Sequence, residues 1–404
     1  MEEQHNKIRR RRRSRKRSAK KVIAIVLGVL VLCAAVVLIA FPDLWQKEEE
    51  EPVGPTAPPP PDKVIHFVAG GNINITDECI AAGAAPNGYD FAPIFKDVLP
   101  VLASGDVTVL NFEGVLGGNT YGTQTKSAPK ELLTALKNAG VDILQTANSY
   151  SVYDGLRGLN ATLQGIRSEG LTPLGTYASN AEFEQSGGYI IWDIKGIKVA
   201  MMAFTKGMVD GMGLPNGSEN CVNLLYKDYQ STFQKVDTEA ITQIVRNAAA
   251  HDPDIMIAMV HWGSELSDQF SKSQKKICDL LQAEGVSAII GTHPHFVQKM
   301  EFDPASGKFV AWSLGDLYDT VETDYSVLLD LQITQDGATG QTKVTGFEYV
   351  PVYLEKNEEG AMQLLRIEEA IIGYENQYLD RVSEETYNAM KIALERIKNR
   401  VAVK

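Results

Sequence analysis

About twenty consecutive residues without a charge, Val22 to Phe41, divide this chain into two parts of opposite charge. A helix rises about 1.5 Å per residue, so a run of this length crosses a hydrocarbon core of roughly 30 Å. A buried core helix would carry a polar stripe at helical spacing, and a cleavable leader would have a shorter apolar region closed by small residues. Neither pattern fits, and the run reads as a single transmembrane helix over 22–41. The first 21 residues hold eleven Lys or Arg against Glu2 and Glu3, a net of +9; with −12 overall, the remainder carries −21. Positive charge stays on the cytoplasmic side of a membrane. The expected arrangement is a basic cytoplasmic arm over 1–21, the span, and an extracellular remainder.

From residue 42 to residue 62 the chain turns acidic and then proline-rich, with Glu48 to Glu51 followed by Pro58 to Pro61. Such a stretch buries no core and reads as an extended spacer. The basic arm adjoins the span and is expected to meet anionic membrane lipid rather than nucleic acid. The acidic outer part also argues against nucleic acid as a partner and suits metal ions or envelope polymers. Cys33 lies in the span, which leaves Cys79, Cys221 and Cys278 outside. Three cysteines allow at most one internal disulfide, and spacing does not choose the pair.

Beyond the spacer, short apolar runs alternate with stretches whose apolar residues recur three and four apart. Val64–Ala69, Val107–Leu110, Val141–Gln145, Lys198–Phe204, Asp254–Val260 and Val286–Ile290 read as strands. Lys130–Asn138, Leu156–Glu169, Asp237–Ala250 and Ser271–Glu284 read as helices. This alternation implies an α/β fold in one large domain. Toward the end, Ser326–Ile333 and Phe347–Leu354 alternate as strands expected to complete a second sheet, and about Ser383 to Arg400 reads as a terminal helix.

The chain has six histidines, and three of them, His261, His293 and His295, follow two apolar strands directly. Ligands of α/β folds gather beyond the carboxyl ends of strands, and neutral imidazole is a common ligand of divalent transition metals. The segments Gly70-Gly71-Asn72, Asn111-Phe112-Glu113-Gly114 and Ala147-Asn148-Ser149-Tyr150 are expected as further strand-end loops at the same edge. His66, inside the first strand, reads as a packed or surface residue, and His251 as a helix-end residue.

Taken in order, Gly71-Asn72, Asn111-Phe112-Glu113, Ala147-Asn148-Ser149-Tyr150, His261-Trp262-Gly263, Gly291-Thr292-His293-Pro294-His295 with Gln298, and Ser313-Leu314-Gly315-Asp316 resemble the CapA family of poly-γ-glutamate capsule synthesis proteins. The domain of that family is distantly similar to calcineurin-like metallophosphoesterases. The resemblance runs from about Lys63 to about Leu331, so a CapA-like domain is expected over 63–331, with C-terminal strands and a helix over 332–404. It implies a four-layer α-β-β-α sandwich of the metallophosphoesterase type and a divalent metal cofactor, Mn, Fe or Zn. It also implies metal ligands at Glu113, Asn148, His261, His293 and His295, and Asn148 and Tyr150 in catalytic positions. The partners it implies are a capsule or cell-envelope polymer and membrane-bound capsule-synthesis proteins.

Two positions depart from the family pattern. Asn72 stands in place of an Asp, which removes an anionic ligand, and Tyr150 stands in place of a His, which removes a group able to move protons near neutral pH. Asn111 is a further site candidate, and Asp316, where the family has Asn, is expected to supply the charge missing at 72 if the two side chains face each other. The readings that follow are a metal-dependent hydrolase or transferase, and a catalytically degenerate scaffold that binds an envelope polymer or a membrane partner.

Overall fold

The strand Ile197–Thr205 shows how the chain builds its layers. Val199, Met201 and Ala203 join a core between two sheets, Ala200, Met202 and Phe204 pack under helices, and all six are buried. Side chains alternate along a strand, so an unbroken apolar run fits a strand covered on both faces. The same parity holds in Ile255–His261, with Ile257 and Met259 between the sheets and Ala258 and Val260 under helices. In the other sheet Val109 faces the inter-sheet core and Leu110 the outer layer. The layers are those of an α-β-β-α sandwich.

A computed structural model describes residues 2–40, 58–321, 323–357, 359–378 and 382–401. The first helix, α1 (Glu2–Ala40), belongs to a compact unit of its own, Met1–Pro58. It runs without a break through the basic arm and the apolar run, as Lys and Arg are good helix formers. Its segment Lys20–Ala40 is long and apolar enough to cross a membrane. Phe41 and spacer residues 42–57 lie outside the described residues.

The second unit, Pro59–Lys404, holds the sandwich. Its strands longer than two residues are β1 (Lys63–Asn74), β2 (Val107–Glu113), β3 (Ile143–Gln145), β4 (Thr172–Leu174), β5 (Ile190–Ile194), β6 (Ile197–Thr205) and β7 (Ile255–His261). They continue with β8 (Ala288–Thr292), β9 (Met300–Asp303), β10 (Lys308–Ala311), β11 (Asp316–Tyr318), β12 (Tyr325–Gln335), β13 (Thr342–Lys356) and β14 (Met362–Arg366). The longer helices are α2 (Lys130–Asn138), α3 (Gly155–Ser168), α4 (Thr238–Ala249), α5 (Lys272–Ala283), α6 (Ile367–Glu375) and α7 (Glu384–Val401). A capping box starts α5: Ser271 accepts from the Gln274 amide, and the Gln274 side chain closes the box on Ser271.

One sheet runs β14-β13-β12-β1-β2-β3-β4, with β11 beside the end of β1; the other runs β9-β10-β8-β7-β6-β5. The C-terminal strands therefore extend the first sheet, whereas the sequence reading had them complete the second, which is built from the middle of the chain. Lys63–Ala69 of β1 pairs antiparallel with Gln335–Leu329 of β12, which satisfies the edge of β1 not taken by β2. Alternation in 325–335 indicates a strand with one face in the core; it carries no information on which edge that strand joins. The expected domain boundary at 331 falls inside β12. Cys79, Cys221 and Cys278 are buried and unpaired, so the single disulfide that composition allowed is not formed among them.

A polar clip joins the sheets at the end away from His261, His293 and His295. Asp106 Oδ2 accepts from the His66 backbone N–H at 2.9 Å and from Lys195 Nζ, in the β5–β6 turn, at 2.8 Å. Burial tends to raise the Asp106 carboxyl, but the Lys195 bond and the His66 N–H outweigh it and hold it below its ordinary value. A carboxylate depressed in the folded state adds stability above its unfolded pKa and loses it as pH falls through the folded one. Asp106→Asn is therefore expected to lower the urea midpoint at pH 7 and to leave it unchanged at about pH 2. An equal loss at both pH values would contradict the ionic role.

Candidate functional site

Register brings the polar residues of both sheets to one edge. Across the parallel strands β1, β2 and β3, Asn72 lies beside Asn111 and Asn111 beside Gln145. Across β6, β7 and β8, Thr205 lies beside His261 and His261 beside Thr292. Asn72, Asn111 and Glu113 thus sit inside strands, although a loop was expected at each. The register of β1 shifts between Ala69 and Asn72, at Gly70-Gly71, and this lets the strand continue to Asn74. At the shift the Asn72 N–H donates to Gly315 O at 3.0 Å, which sets β1 against β11.

The side chains at this edge form one connected network. Asn72 Nδ2 donates to Asp316 Oδ1 at 2.6 Å, so the facing contact expected from the exchanged residue types is present. Asn111 Nδ2 donates to Asn72 Oδ1 at 2.8 Å and to Glu113 Oε1 at 2.9 Å. Glu113 Oε1 lies 2.9 Å from His261 Nε2, and His261 Nδ1 lies 3.1 Å from Thr205 Oγ1. His295 Nδ1 is 3.0 Å from both oxygens of Asp316 and 3.9 Å from Asp319 Oδ2. Asp319 in turn accepts from Asn74 Nδ2 at 3.0 Å and from the Thr320 and Val321 N–H groups. Glu113, His261, His293, Asp316 and Asp319 are each at most 2% exposed and His295 is 8% exposed, so these charges are shielded from water and must be balanced locally.

The loop after β8 is held in a costly backbone conformation. His293 has φ 92° and His295 φ 63°, both in the left-handed region that residues other than Gly rarely adopt. Such residues cost on the order of 1–3 kcal/mol each and persist where surrounding structure imposes them. Here the strain turns both imidazoles toward the network: the His261 and His293 rings are 4.4 Å apart and the His293 and His295 rings 6.1 Å apart. Asn148 serves the neighbouring loop, donating to Phe112 O at 2.6 Å and Asn111 Oδ1 at 3.2 Å and accepting from the Tyr150 N–H at 3.0 Å.

The charge states follow from burial and pairing. Burial would raise the Glu113 carboxyl, but His261, His295 and the Asn111 amide outweigh it and keep it ionised below the usual range. Burial pushes His261 down and His293 well down, with the Lys206 charge adding to both, so these two rings are neutral. His295 goes the other way: Asp316, Glu113 and Asp319 overcome its burial and raise it, while burial raises Asp316 in turn. Both shifts arise within one buried pair, in which His295 Nδ1 meets both oxygens of Asp316. Burial lifts the Tyr150 phenol well above its ordinary value, aided by Glu113, which removes it further from proton transfer at pH 7.

His295, Asp316 and Asp319 offer ligand atoms that all lie within 4.8 Å of one another, a donor set of two carboxylates and one imidazole. That set suits a divalent ion with mixed oxygen and nitrogen preference. The buried His293 Nδ1 has no hydrogen-bond partner. Glu113, His261 and His293 stand beside this cluster in the same network, and Asn72 and Asn111 join the two. His66, bonded to Asp330 at 2.9 Å, and His251, bonded to Tyr189 and Asn247 O, lie elsewhere.

Five residues of the site were not expected from sequence: Asp319, Asn74, Thr205, Lys126 and Lys206. Asp319 follows Asp316 by three residues, a carboxylate spacing that was legible. Lys206 follows β6 just as His261 closes β7, so strand-end position marked it too. Lys126, whose Nζ lies 3.3 Å from Asn74 Oδ1 and 4.7 Å from the Tyr150 ring centre, had no local signal.

The family described as "Bacterial capsule synthesis protein PGA_cap" matches residues 66–320. The chain is 26% identical over 263 residues to the PGA biosynthesis protein CapA of Bacillus subtilis (strain 168), covering 62% of this chain and 64% of that protein. It is 24% identical over 266 residues to the capsule biosynthesis protein CapA of Bacillus anthracis, covering 62% and 60%. The matches thus span somewhat under two thirds of these relatives. Among solved structures, a phosphatase from Mycoplasma pneumoniae aligns with TM-score 0.46 and 12% identity over 74% of this chain and 96% of that one. The calcineurin-like phosphoesterase YfkN from Bacillus subtilis aligns with TM-score 0.43 and 14% identity over 82% and 100%.

Proposed function

The chain belongs to the bacterial capsule synthesis protein family PGA_cap, and from that premise we propose that it is a membrane-anchored protein whose outer domain acts on an anionic polymer of the capsule or cell envelope through one divalent cation. The observation that carries this reading is the buried cluster of His295, Asp316 and Asp319, packed against Asn72 and the Glu113–His261 pair. In this reading α1 anchors the protein through Lys20–Ala40, with the basic arm at the lipid surface and the sandwich outside.

A cation held by Asp316, Asp319 and His295 would polarise a phosphoryl or carbonyl oxygen of the substrate. The remaining residues orient. Glu113 fixes the His261 ring through Nε2, and Thr205 meets its Nδ1. Asn148 holds the Tyr150 backbone, and Tyr150 packs edge-on against Tyr153 with ring centres 5.7 Å apart. Tyr153 lines an open groove of about 360 Å³ with Gly117, Asn119, Thr125 and Arg157, a surface suited to a chain-like substrate. The ammonium groups of Lys126 and Lys206 supply the positive charge that an anionic polymer needs.

The Tyr150 phenol and the neutral Asn72 favour a second reading, in which the domain binds the polymer without transforming it. Calorimetric titration of the full chain in detergent with Mn²⁺, followed by the same titration of His295→Ala, separates the two. The catalytic reading expects micromolar binding that falls at least about tenfold in the variant, together with loss of hydrolysis of a phosphodiester or amide-linked polymer. Polymer binding that persists in His295→Ala, with no metal uptake by either protein, would support the scaffold.

A further inference from the structure

Lys206 is held at the site by its backbone and by three contacts of its side chain. It follows the last residue of β6, its backbone N–H donates to His261 O at 2.8 Å, and its side chain crosses the Phe233 ring with Nζ 4.8 Å from the ring centre. Nζ donates to Gly263 O at 2.9 Å and lies 3.1 Å from His293 Nε2. An ammonium only donates hydrogen bonds, so His293 must accept at Nε2 with its lone pair. That lone pair is the one a metal would use. The His261 ring lies 4.4 Å from the His293 ring and meets Glu113 at its own Nε2, so two imidazoles, ligands that transition metals favour, stand together next to the ammonium.

We propose that Lys206 is a tethered cation that occupies the His293 Nε2 lone pair, and that it excludes a divalent ion from His293 and the neighbouring His261. The imidazole lone pair is then already engaged by the chain itself. This rests on the reading that Asp316, Asp319 and His295 hold an exchangeable ion, and it makes the protein a one-ion site with a built-in positive charge in place of a second. Substrate anions would meet one metal and one ammonium, an arrangement that binds charge without needing a second ion to be loaded.

The test is metal stoichiometry of the full chain in detergent, measured by equilibrium dialysis against Mn²⁺ and elemental analysis, with melting curves as a folding control. The wild type should hold about one ion per chain. Lys206→Met, which keeps the stem over Phe233, should hold about two, Lys206→Arg about one, and Lys206→Met with His293→Ala about one. If Lys206→Met does not fold, Lys206→Gln, which keeps a donor for Gly263 O, carries the same expectation. Two ions in the wild type, or no added ion in either neutral variant, would overturn the proposal. A wild type holding none while Lys206→Met holds one removes the Asp316 site and leaves the role of Lys206 standing.

Discussion

Asp316→Asn lowers Mn²⁺ affinity about a hundredfold, and adding Asn72→Asp to the same chain recovers most of the loss: this is the expected result of exchanging two side chains already in contact. Asn72 Nδ2 and Asp316 Oδ1 are 2.6 Å apart, so the exchange moves one negative charge by about a hydrogen-bond length. Both new side chains find their partners in place. The Asn111 amide that donates to Asn72 at 2.8 Å would donate equally to a carboxylate, and an amide at 316 still offers an oxygen near His295. A hundredfold corresponds to about 2.8 kcal/mol, in line with removing one anionic ligand from a cation shielded from water. Titration calorimetry of the wild type, the single variant and the double variant decides it. A single variant with wild-type affinity, or a double variant no better than the single, would show that charge at this contact does not hold the ion.

Gly71→Ala is expected to destabilise the folded protein by about 3 kcal/mol or more and to abolish metal uptake. A Cβ at Gly71 would lie 1.8 Å from the carbonyl oxygen of Gly315, a backbone atom that cannot turn aside. Relief requires β1 and β11 to separate, which would break the Asn72 N–H bond to Gly315 O and the Asn72–Asp316 contact with it. Gly70→Ala is the control. Its Cβ would meet Leu110 Cδ2 at 2.4 Å, the end of a side chain that can rotate, so a smaller loss is expected and metal uptake should survive. Urea denaturation and dialysis against Mn²⁺ measure both effects; a Gly71→Ala protein with wild-type midpoint and wild-type metal content would remove the close approach of these strands from the account of the site.

Local pattern carried much of the architecture. The helix expected over Lys130–Asn138 occupies those same residues, and the helices and strands flanking His261 and His293 lie within one or two residues of their expected ends. Period and apolar run length are local properties, and they are strong where both faces of a strand or one stripe of a helix are buried. The site was half legible for the same reason. Strand carboxyl ends gather at one edge in parallel sheets, so His261, His293 and the Asn and Glu residues at strand ends could be singled out before any contact was known. Lys126 shows the limit: it lies in a segment without periodicity, and its place beside Asn74 and Tyr150 depends on a fold contact that spacing does not encode.

What the amino-acid sequence determined by itself was the apolar span, the sign of charge on either side of it, the order of strands and helices, and the residue types available at their ends. What the tertiary structure decided was pairing. β12 joins β1 instead of founding a second sheet, Asp316 meets Asn72 across 244 positions, and Lys206 reaches His293 across 87. Element type follows from which neighbours along the chain are apolar, whereas a pairing is selected by competition among all edges and side chains that could satisfy the same buried hydrogen bonds and charges, and that competition is settled only when the whole sandwich closes.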